Sequence, residues 1–164
     1  MYQASVPAFL RSLQNLSGIL DKAAAHAAAK KIDPSIFIAA RLSPDMLAFA
    51  KQVQIASDFA KNTAARLAGV EPPKFADEEK TFDELKARIA KASDYVKSIK
   101  ADQIDGSEER DITIPIGGKP TTFKGQPYLV NFALPNFYFH LTTAYAILRH
   151  NGVELGKWDF LGKA

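Results

Sequence analysis

Apolar residues recur at three- and four-residue steps along four long stretches of the chain, which is the spacing of one face of an amphipathic α-helix. These stretches predict helices from Val6 to Lys30, Pro44 to about Ala68, Thr81 (or Asp77) to about Ala101, and Gly125 to Gly152. Pro135 lies inside the last stretch and predicts a kink there, because proline lacks an N–H and clashes with the preceding turn. Four such helices joined by short connections favour a four-helix bundle.

A different pattern separates the third and fourth helices. Ile112, Ile114 and Ile116 alternate with other residues up to Gly117-Gly118, and Thr121 to Phe123 follow. Alternating β-branched residues around a Gly-Gly turn predict a β-hairpin, which must lie on the helices because two strands alone are marginally stable. The predicted fold class is therefore all-α, a four-helix bundle with a small β-hairpin before the last helix.

Composition agrees with one globular domain spanning residues 1–164, since 47% of the residues are apolar and 24% are charged. Cysteine is absent, so any metal would need nitrogen and oxygen ligands. The net charge of +3 is spread along the chain without a basic block, which disfavours a nucleic-acid partner. No apolar run reaches the roughly 18 to 20 residues needed to span a membrane. We expect a cytoplasmic protein without a membrane partner.

The last predicted helix carries polar residues on the face that should be buried. Asn136 and His140 lie four residues apart, as the two histidines of a zinc-binding helix do, and Thr143 continues the same face. A buried histidine that is hydrogen-bonded to an asparagine or a threonine gives the same pattern without metal. The residues alone leave both interpretations open.

Other polar and aromatic positions have simpler interpretations. Gln54 and Asp58 project away from the apolar face of the second helix and are predicted to be solvated, and Arg88 is placed on the outer face of the third. The aromatic residues of the last helix are typical of a core or of a subunit interface. Together with the alanine-lined second helix, they favour a homodimer.

Several segments carry a resemblance to a known family. They are Arg41 to Met46, Gln52 to Ala56, Pro135 to His140, Thr142 to Val153, and Gly156 to Gly162. They resemble an uncharacterised bacterial family, a domain of unknown function within the DinB/YfiT-like superfamily of metalloenzymes. The resemblance implies a DinB-like four-helix bundle that holds a divalent metal, Ni²⁺ or Zn²⁺, between one histidine of the second helix and two histidines of the last.

When the sequence is aligned with the family by this resemblance, His140 matches one of the three implied histidine ligands, and Asn136 and Gln52 occupy the positions of the other two. One hypothesis is a pocket of Gln52, Asn136, His140, Thr143 and Tyr145 that binds a small molecule without catalysis or forms a structural polar core in a dimer. The alternative is a metal-dependent enzyme, of the hydrolase or thiol transferase type, that uses His140 as its only strong ligand or as a general base. No cofactor is assigned firmly, and Ni²⁺ or Zn²⁺ at His140 is the metal that the resemblance implies.

Overall fold

The computed structural model describes residues 1–162. The chain contains both short and long helices, with a 3-10 turn at Tyr2–Ala4 and a π-helical segment at Tyr128–Ala133. The helices are α1 (Val6–Lys30), α2 (Pro34–Ala39), α3 (Phe49–Leu67), α4 (Phe82–Ser98), α5 (Ala101–Ile104), α6 (Gly125–Pro127), α7 (Leu134–His150) and α8 (Lys157–Leu161). The strands are β1 (Asp111–Ile116) and β2 (Lys119–Lys124).

The four long helices form the predicted bundle. Helix α4 packs against both α1 and α3, and α7 packs against α3 and α1. Phe9 of α1 meets Phe137 of α7 edge-on in the core, with ring centroids 4.9 Å apart, and the buried alanines of α3 allow its neighbours to approach closely. The all-α fold class with a small hairpin is confirmed. None of the helices within residues 1–162 is long and apolar enough to cross a membrane.

The start of α3 was predicted wrongly. The helix begins at Phe49 rather than Pro44, because Ser43, Pro44 and Asp45 form a turn of their own. The Ser43 hydroxyl donates to the Asp45 carboxylate (2.6 Å), and the Ser43 backbone carbonyl accepts from the Met46 N–H (3.0 Å). A serine engaged in this way caps no helix, and Ala48, directly before α3, has an extended backbone.

The hairpin follows the prediction closely. Gly117 and Gly118 have φ angles of 56° and 78°, and Ile116 pairs with Lys119 across the two-residue turn. Positive φ at both turn positions is the type I′ geometry that suits glycine and matches the twist of the strands. Ile112 and Ile114 are buried, so one face of the ribbon packs onto the helices.

A π-helical segment lies immediately before α7, just ahead of Pro135, where a kink was predicted. The Leu134 N–H bonds the Leu129 carbonyl, five residues back, just ahead of the proline that has no N–H to offer. Helix α7 then runs to His150. Gly152, with a φ of 89°, ends it as predicted, with the Val153 N–H bonding the Leu148 carbonyl.

Candidate functional site

His140 of α7 and Gln52 of α3 bind each other across the bundle. The histidine Nδ1 lies 2.7 Å from the glutamine Oε1, and the glutamine Nε2 donates to the Leu47 carbonyl at 3.1 Å. A carbonyl can only accept, so the amide nitrogen must face Leu47 and the amide oxygen must face His140. The oxygen also only accepts, and Nδ1 therefore carries the proton. Gln52 is 1% exposed, so its amide is both buried and hydrogen-bonded at each end.

Aromatic rings enclose the His140 imidazole. Phe59 stacks on it with centroids 6.0 Å apart and planes at 19°, and Phe139 meets it edge-on at 5.2 Å. Burial lowers the pKa of His140, because the charged imidazolium loses hydration there. The side chain is therefore neutral at neutral pH, with a proton on Nδ1 and a lone pair on Nε2.

The two other polar residues on this face of α7 bond to their own helix. The Asn136 Nδ2 donates to the Phe132 carbonyl in the π-helical segment at 2.7 Å, and the Thr143 hydroxyl donates to the Phe139 carbonyl at 2.7 Å. Asn136 thus satisfies a carbonyl of the irregular turn that precedes it. Within residues 1–162, no hydrogen bond joins either side chain to His140.

Tyr145 has contacts elsewhere. Its hydroxyl donates to the Leu155 carbonyl at 3.3 Å, and its ring meets Phe160 edge-on at 6.0 Å. Five helical residues separate it from His140, a rotation of about 140° around the axis of α7. The structure therefore brings Gln52 and His140 together, keeps Asn136 and Thr143 along the same face, and places Tyr145 against the C-terminal segment.

The donor set of the His140 site does not fit a divalent transition metal. Within residues 1–162, no group of three or more His, Asp or Glu side chains converges closely enough to hold one ion. One imidazole nitrogen, Nδ1, donates to Gln52, and both the oxygen and the nitrogen of the Gln52 amide are already hydrogen-bonded. Zn²⁺ needs three or four strong protein donors, and neutral carboxamides are weak ligands for it.

A cleft of about 220 Å³ opens beside this site, and we refer to it as the α3 cleft. Phe59, the ring that stacks on His140, also lines the cleft. Its other lining residues are Ile55, Asp58, Asn62 and Arg66 of α3, Ile114 and Pro115 of β1, and Phe132 of the π-helical segment. The sequence interpretation missed the cleft. A signal was present, since Ile55, Phe59, Asn62 and Arg66 follow one another at helical steps beside the alanine stripe.

Polar residues predicted to be solvated are partly buried in an ionic cluster. Arg88 is 3% exposed and binds the carboxylates of Asp58 (2.9 Å), Asp77 (2.9 Å) and Glu79 (3.0 Å), while buried Gln54 donates to Glu79 at 2.8 Å. The surface predictions for Gln54, Asp58 and Arg88 are wrong, because residues 70–80 fold back over α3 and α4 without helix or strand. Helical periodicity alone cannot show that a segment without regular structure covers the outer face of a helix.

Comparison with known proteins shows what the whole chain is similar to. A family model described as a domain of unknown function, DUF1993, matches residues 1–161. The crystal structure of a DinB family member protein from Shewanella denitrificans, at 1.83 Å resolution, is 42% identical to this chain. The similarity covers 99% of this chain and 92% of that one, with a TM-score of 0.93. No curated protein matches the chain.

Proposed function

The chain belongs to the DUF1993 family, and from this premise we propose that it is a DinB-like bundle that binds a small molecule without metal catalysis. In this proposal the pair formed by His140 and Gln52 is a structural polar link, and the ligand occupies the adjacent α3 cleft. The hydrogen bond from His140 Nδ1 to Gln52 Oε1 is the observation that carries the proposal.

That hydrogen bond matters because it engages the Gln52 amide oxygen and one of the two ring nitrogens of His140, at two of the three positions where the resemblance implies metal ligands. Gln52 is buried, and a metal that took its oxygen would leave the His140 Nδ1–H without its partner. The third position, Asn136, has its amide nitrogen bound to the Phe132 carbonyl. Breaking buried hydrogen bonds costs about 1 to 3 kcal/mol for each group left unpaired, which opposes weak carboxamide coordination.

The proposal extends to location and partners. We propose a cytoplasmic protein that acts as a homodimer and has no nucleic-acid partner. Support comes from the lack of a basic block in a chain of net charge +3, and from large exposed apolar residues on the outer side of α7, such as Phe139.

A second candidate function rests on the Nε2 atom of His140. Since Nδ1 donates to Gln52, Nε2 holds the lone pair, and burial keeps the pKa of the imidazole low enough for that lone pair to be available at neutral pH. A neutral histidine of this kind can act as a general base or as a single metal ligand. This observation supports the alternative function, an enzyme of the hydrolase or thiol transferase type that uses His140 as a general base or as its only strong metal ligand.

Metal analysis separates the two functions. Protein purified without an affinity tag, equilibrated with Zn²⁺ or Ni²⁺ and desalted, should retain far less than one metal per chain, and His140→Ala should behave the same way. A double variant, Gln52→His with Asn136→His, restores an imidazole at each implied ligand position and is the positive control. Stoichiometric metal in the unmodified protein that is lost in His140→Ala would overturn the metal-free proposal and support the enzyme.

A further inference from the structure

Arg66 lines the α3 cleft and has unused hydrogen-bonding capacity. Its guanidinium is on a half-buried side chain and donates to the Tyr128 hydroxyl at 3.1 Å. Within residues 1–162, no carboxylate lies within 4.0 Å of it, whereas buried Arg88 binds three. A guanidinium has five N–H donors in a planar fork that matches a carboxylate.

Two neighbouring polar residues also line the cleft: Asn62 has a donor that is free among residues 1–162, and the negative charge of Asp58 is neutralised by bound cations. The Asn62 Oδ1 accepts from Lys61 Nζ at 2.7 Å, so its amide nitrogen is the end that remains for a ligand. The Asp58 carboxylate is bound by Lys61 at 3.1 Å and by Arg88 at 2.9 Å, so it faces the cleft as part of an ion cluster. The Arg66 guanidinium and the Asn62 amide nitrogen lie one helical turn apart on α3, so both can donate to the same anion.

Charge beside the cleft is largely offset, except at Arg66. Burial lowers the pKa of Lys61, the Asp58 carboxylate opposes this shift, and the positive charges of Arg88 and Arg66 add to it. Lys61 and Arg88 are both bound to Asp58, and Arg88 binds two further carboxylates. Arg66, which has no carboxylate within 4.0 Å among residues 1–162, is therefore the cation that an anion can neutralise.

The rest of the cleft is apolar. Phe59 and Phe132 approach with ring centroids 6.0 Å apart and planes at 55°, and Ile55, Ile114 and Pro115 complete the walls. Apolar walls with a few convergent polar groups are the usual composition of a small-molecule site. The volume of about 220 Å³ is small, so the matching ligand is small as well.

From these contacts we propose that the α3 cleft binds a small carboxylic acid with an apolar or aromatic body. The carboxylate accepts from Arg66 and from the Asn62 amide nitrogen, and the body packs on Phe59 and Phe132. This inference rests on the proposed function, because it names the ligand class for the same cleft.

Methyl NMR of isoleucine-labelled protein tests the ligand class. Ile55 and Ile114 line the cleft, and the core residues Ile19 and Ile89 serve as internal references. The probes are benzoate, phenylacetate, indole-3-acetate and hexanoate, with phenylacetamide as the neutral analogue of phenylacetate. The acids should shift the Ile55 and Ile114 methyl signals and leave those of Ile19 and Ile89 in place.

The charge requirement is tested with variants. Arg66→Gln should weaken binding of the best acid about tenfold, which corresponds to about 1.4 kcal/mol, and phenylacetamide should bind the unmodified protein about tenfold more weakly than phenylacetate. Exposed Arg149→Gln is the matched control and should change nothing.

Two results would overturn the inference, and they separate it from the proposed function. If phenylacetamide binds as well as phenylacetate and Arg66→Gln has no effect, the ligand class is wrong while small-molecule binding stands. If none of the probes shifts Ile55 or Ile114 at millimolar concentration, both the acid class and this cleft as a binding site are rejected.

Discussion

The pair of His140 and Gln52 shows how one hydrogen bond sets the properties of a histidine. The Gln52 oxygen fixes the proton on Nδ1, and the Phe59 and Phe139 rings limit hydration of the imidazole. Both effects favour one neutral tautomer in the folded protein. His140, at a position where the resemblance implies a metal ligand, therefore acts as a donor that joins α7 to α3.

The lowered pKa of His140 predicts a pH-dependent stability. As pH falls below the unfolded-state pKa of about 6.5, the unfolded chain takes up a proton that the folded chain resists. The contribution of His140 to the free energy of unfolding should therefore be complete above about pH 7 and decrease as the pH falls below about 6.5. Urea denaturation of the unmodified protein and of His140→Gln, compared across this range, measures the effect.

The difference between the two proteins isolates His140, because the carboxylates titrate in both. The difference should shrink as pH falls, since only the unmodified protein loses this contribution. A difference that stays constant from about pH 8 to about pH 5.5 would show that burial does not perturb this histidine.

For individual residues, the sequence predicted where a side chain lies better than it predicted its hydrogen-bond partner. The spacing placed Asn136 and His140 on one face, and the resemblance put Gln52 opposite, which the 2.7 Å contact with His140 matches. The roles of Asn136 and Tyr145 were not visible, because they depend on the Phe132 carbonyl in the π-helical segment and on the path of the C-terminal segment. Neither feature leaves a periodic signal.

Among the elements, the start of the last helical stretch depends on a close backbone approach. Gly125 opens α6, and a Cβ built there would lie 1.9 Å from the Ser107 carbonyl oxygen. The next residue, Gln126, donates its N–H to the Glu108 carbonyl at 3.0 Å. The π-helical segment and α7 are thus aligned by a contact that only glycine permits.

Two Gly→Ala substitutions test this contact with the same chemical change. Gly125→Ala should destabilise the protein by about 1 to 3 kcal/mol, because backbone must move to admit the methyl group. Gly18→Ala, inside α1 with open space around it, should instead stabilise by about 0.5 to 1 kcal/mol. Urea denaturation gives both values, and equal effects of the two substitutions would refute the packing argument.

The segment of residues 70–80 is an element without helix or strand, held by Arg88. The three carboxylates bound by Arg88 come from α3 (Asp58) and from this segment (Asp77 and Glu79). The Phe75 ring also contacts the cations of Lys61 and Lys91, at 4.7 Å and 4.2 Å from its centroid. The segment is therefore fastened to both helices.

Arg88→Met should release this segment. Losing one partner of a buried ionic cluster typically costs about 3 kcal/mol, although the exposed edges of Asp58 and Asp77 allow some rehydration. Hydrogen exchange of the amides of residues 74–80 should accelerate more than exchange in α1. Lys97→Met, at an exposed position on α4, is the control, and unchanged exchange in Arg88→Met would contradict the role of the cluster.

For the whole molecule, amphipathic periodicity was sufficient to predict the bundle, because long helices bury one face and the chain offered four of them. The hairpin was equally visible, since Gly117-Gly118 supplies the turn. The start of α3 and the burial of Arg88 were predicted wrongly, because local turn chemistry and a folded-back segment decided them. The α3 cleft arises only where α3, the hairpin and the π-helical segment meet.

The homodimer remains a prediction at this scale, and the outer side of α7 is the face to test. Phe139 is 57% exposed and Leu42 is 41% exposed, beside Tyr138 and Ala146. A face without charged lining residues can meet its own copy without like-charge repulsion. Light scattering should give twice 17.9 kDa, and Phe139→Lys should reduce the mass to 17.9 kDa.

Val130→Lys is the control, because Val130 is also exposed but belongs to the π-helical segment. It should leave the dimer intact. A mass of 17.9 kDa for the unmodified protein at micromolar concentration would rule out the dimer.

The most direct test of the metal-free site is ¹⁵N NMR of the His140 imidazole before and after one equivalent of Zn²⁺. At about pH 8 we expect a protonated Nδ1 and an unprotonated Nε2, unchanged by zinc, with His26 and His150 as internal comparisons. A zinc-dependent shift of the Nε2 signal, together with loss of the hydrogen bond to Gln52, would show that the site is not metal-free and that His140 is a metal ligand.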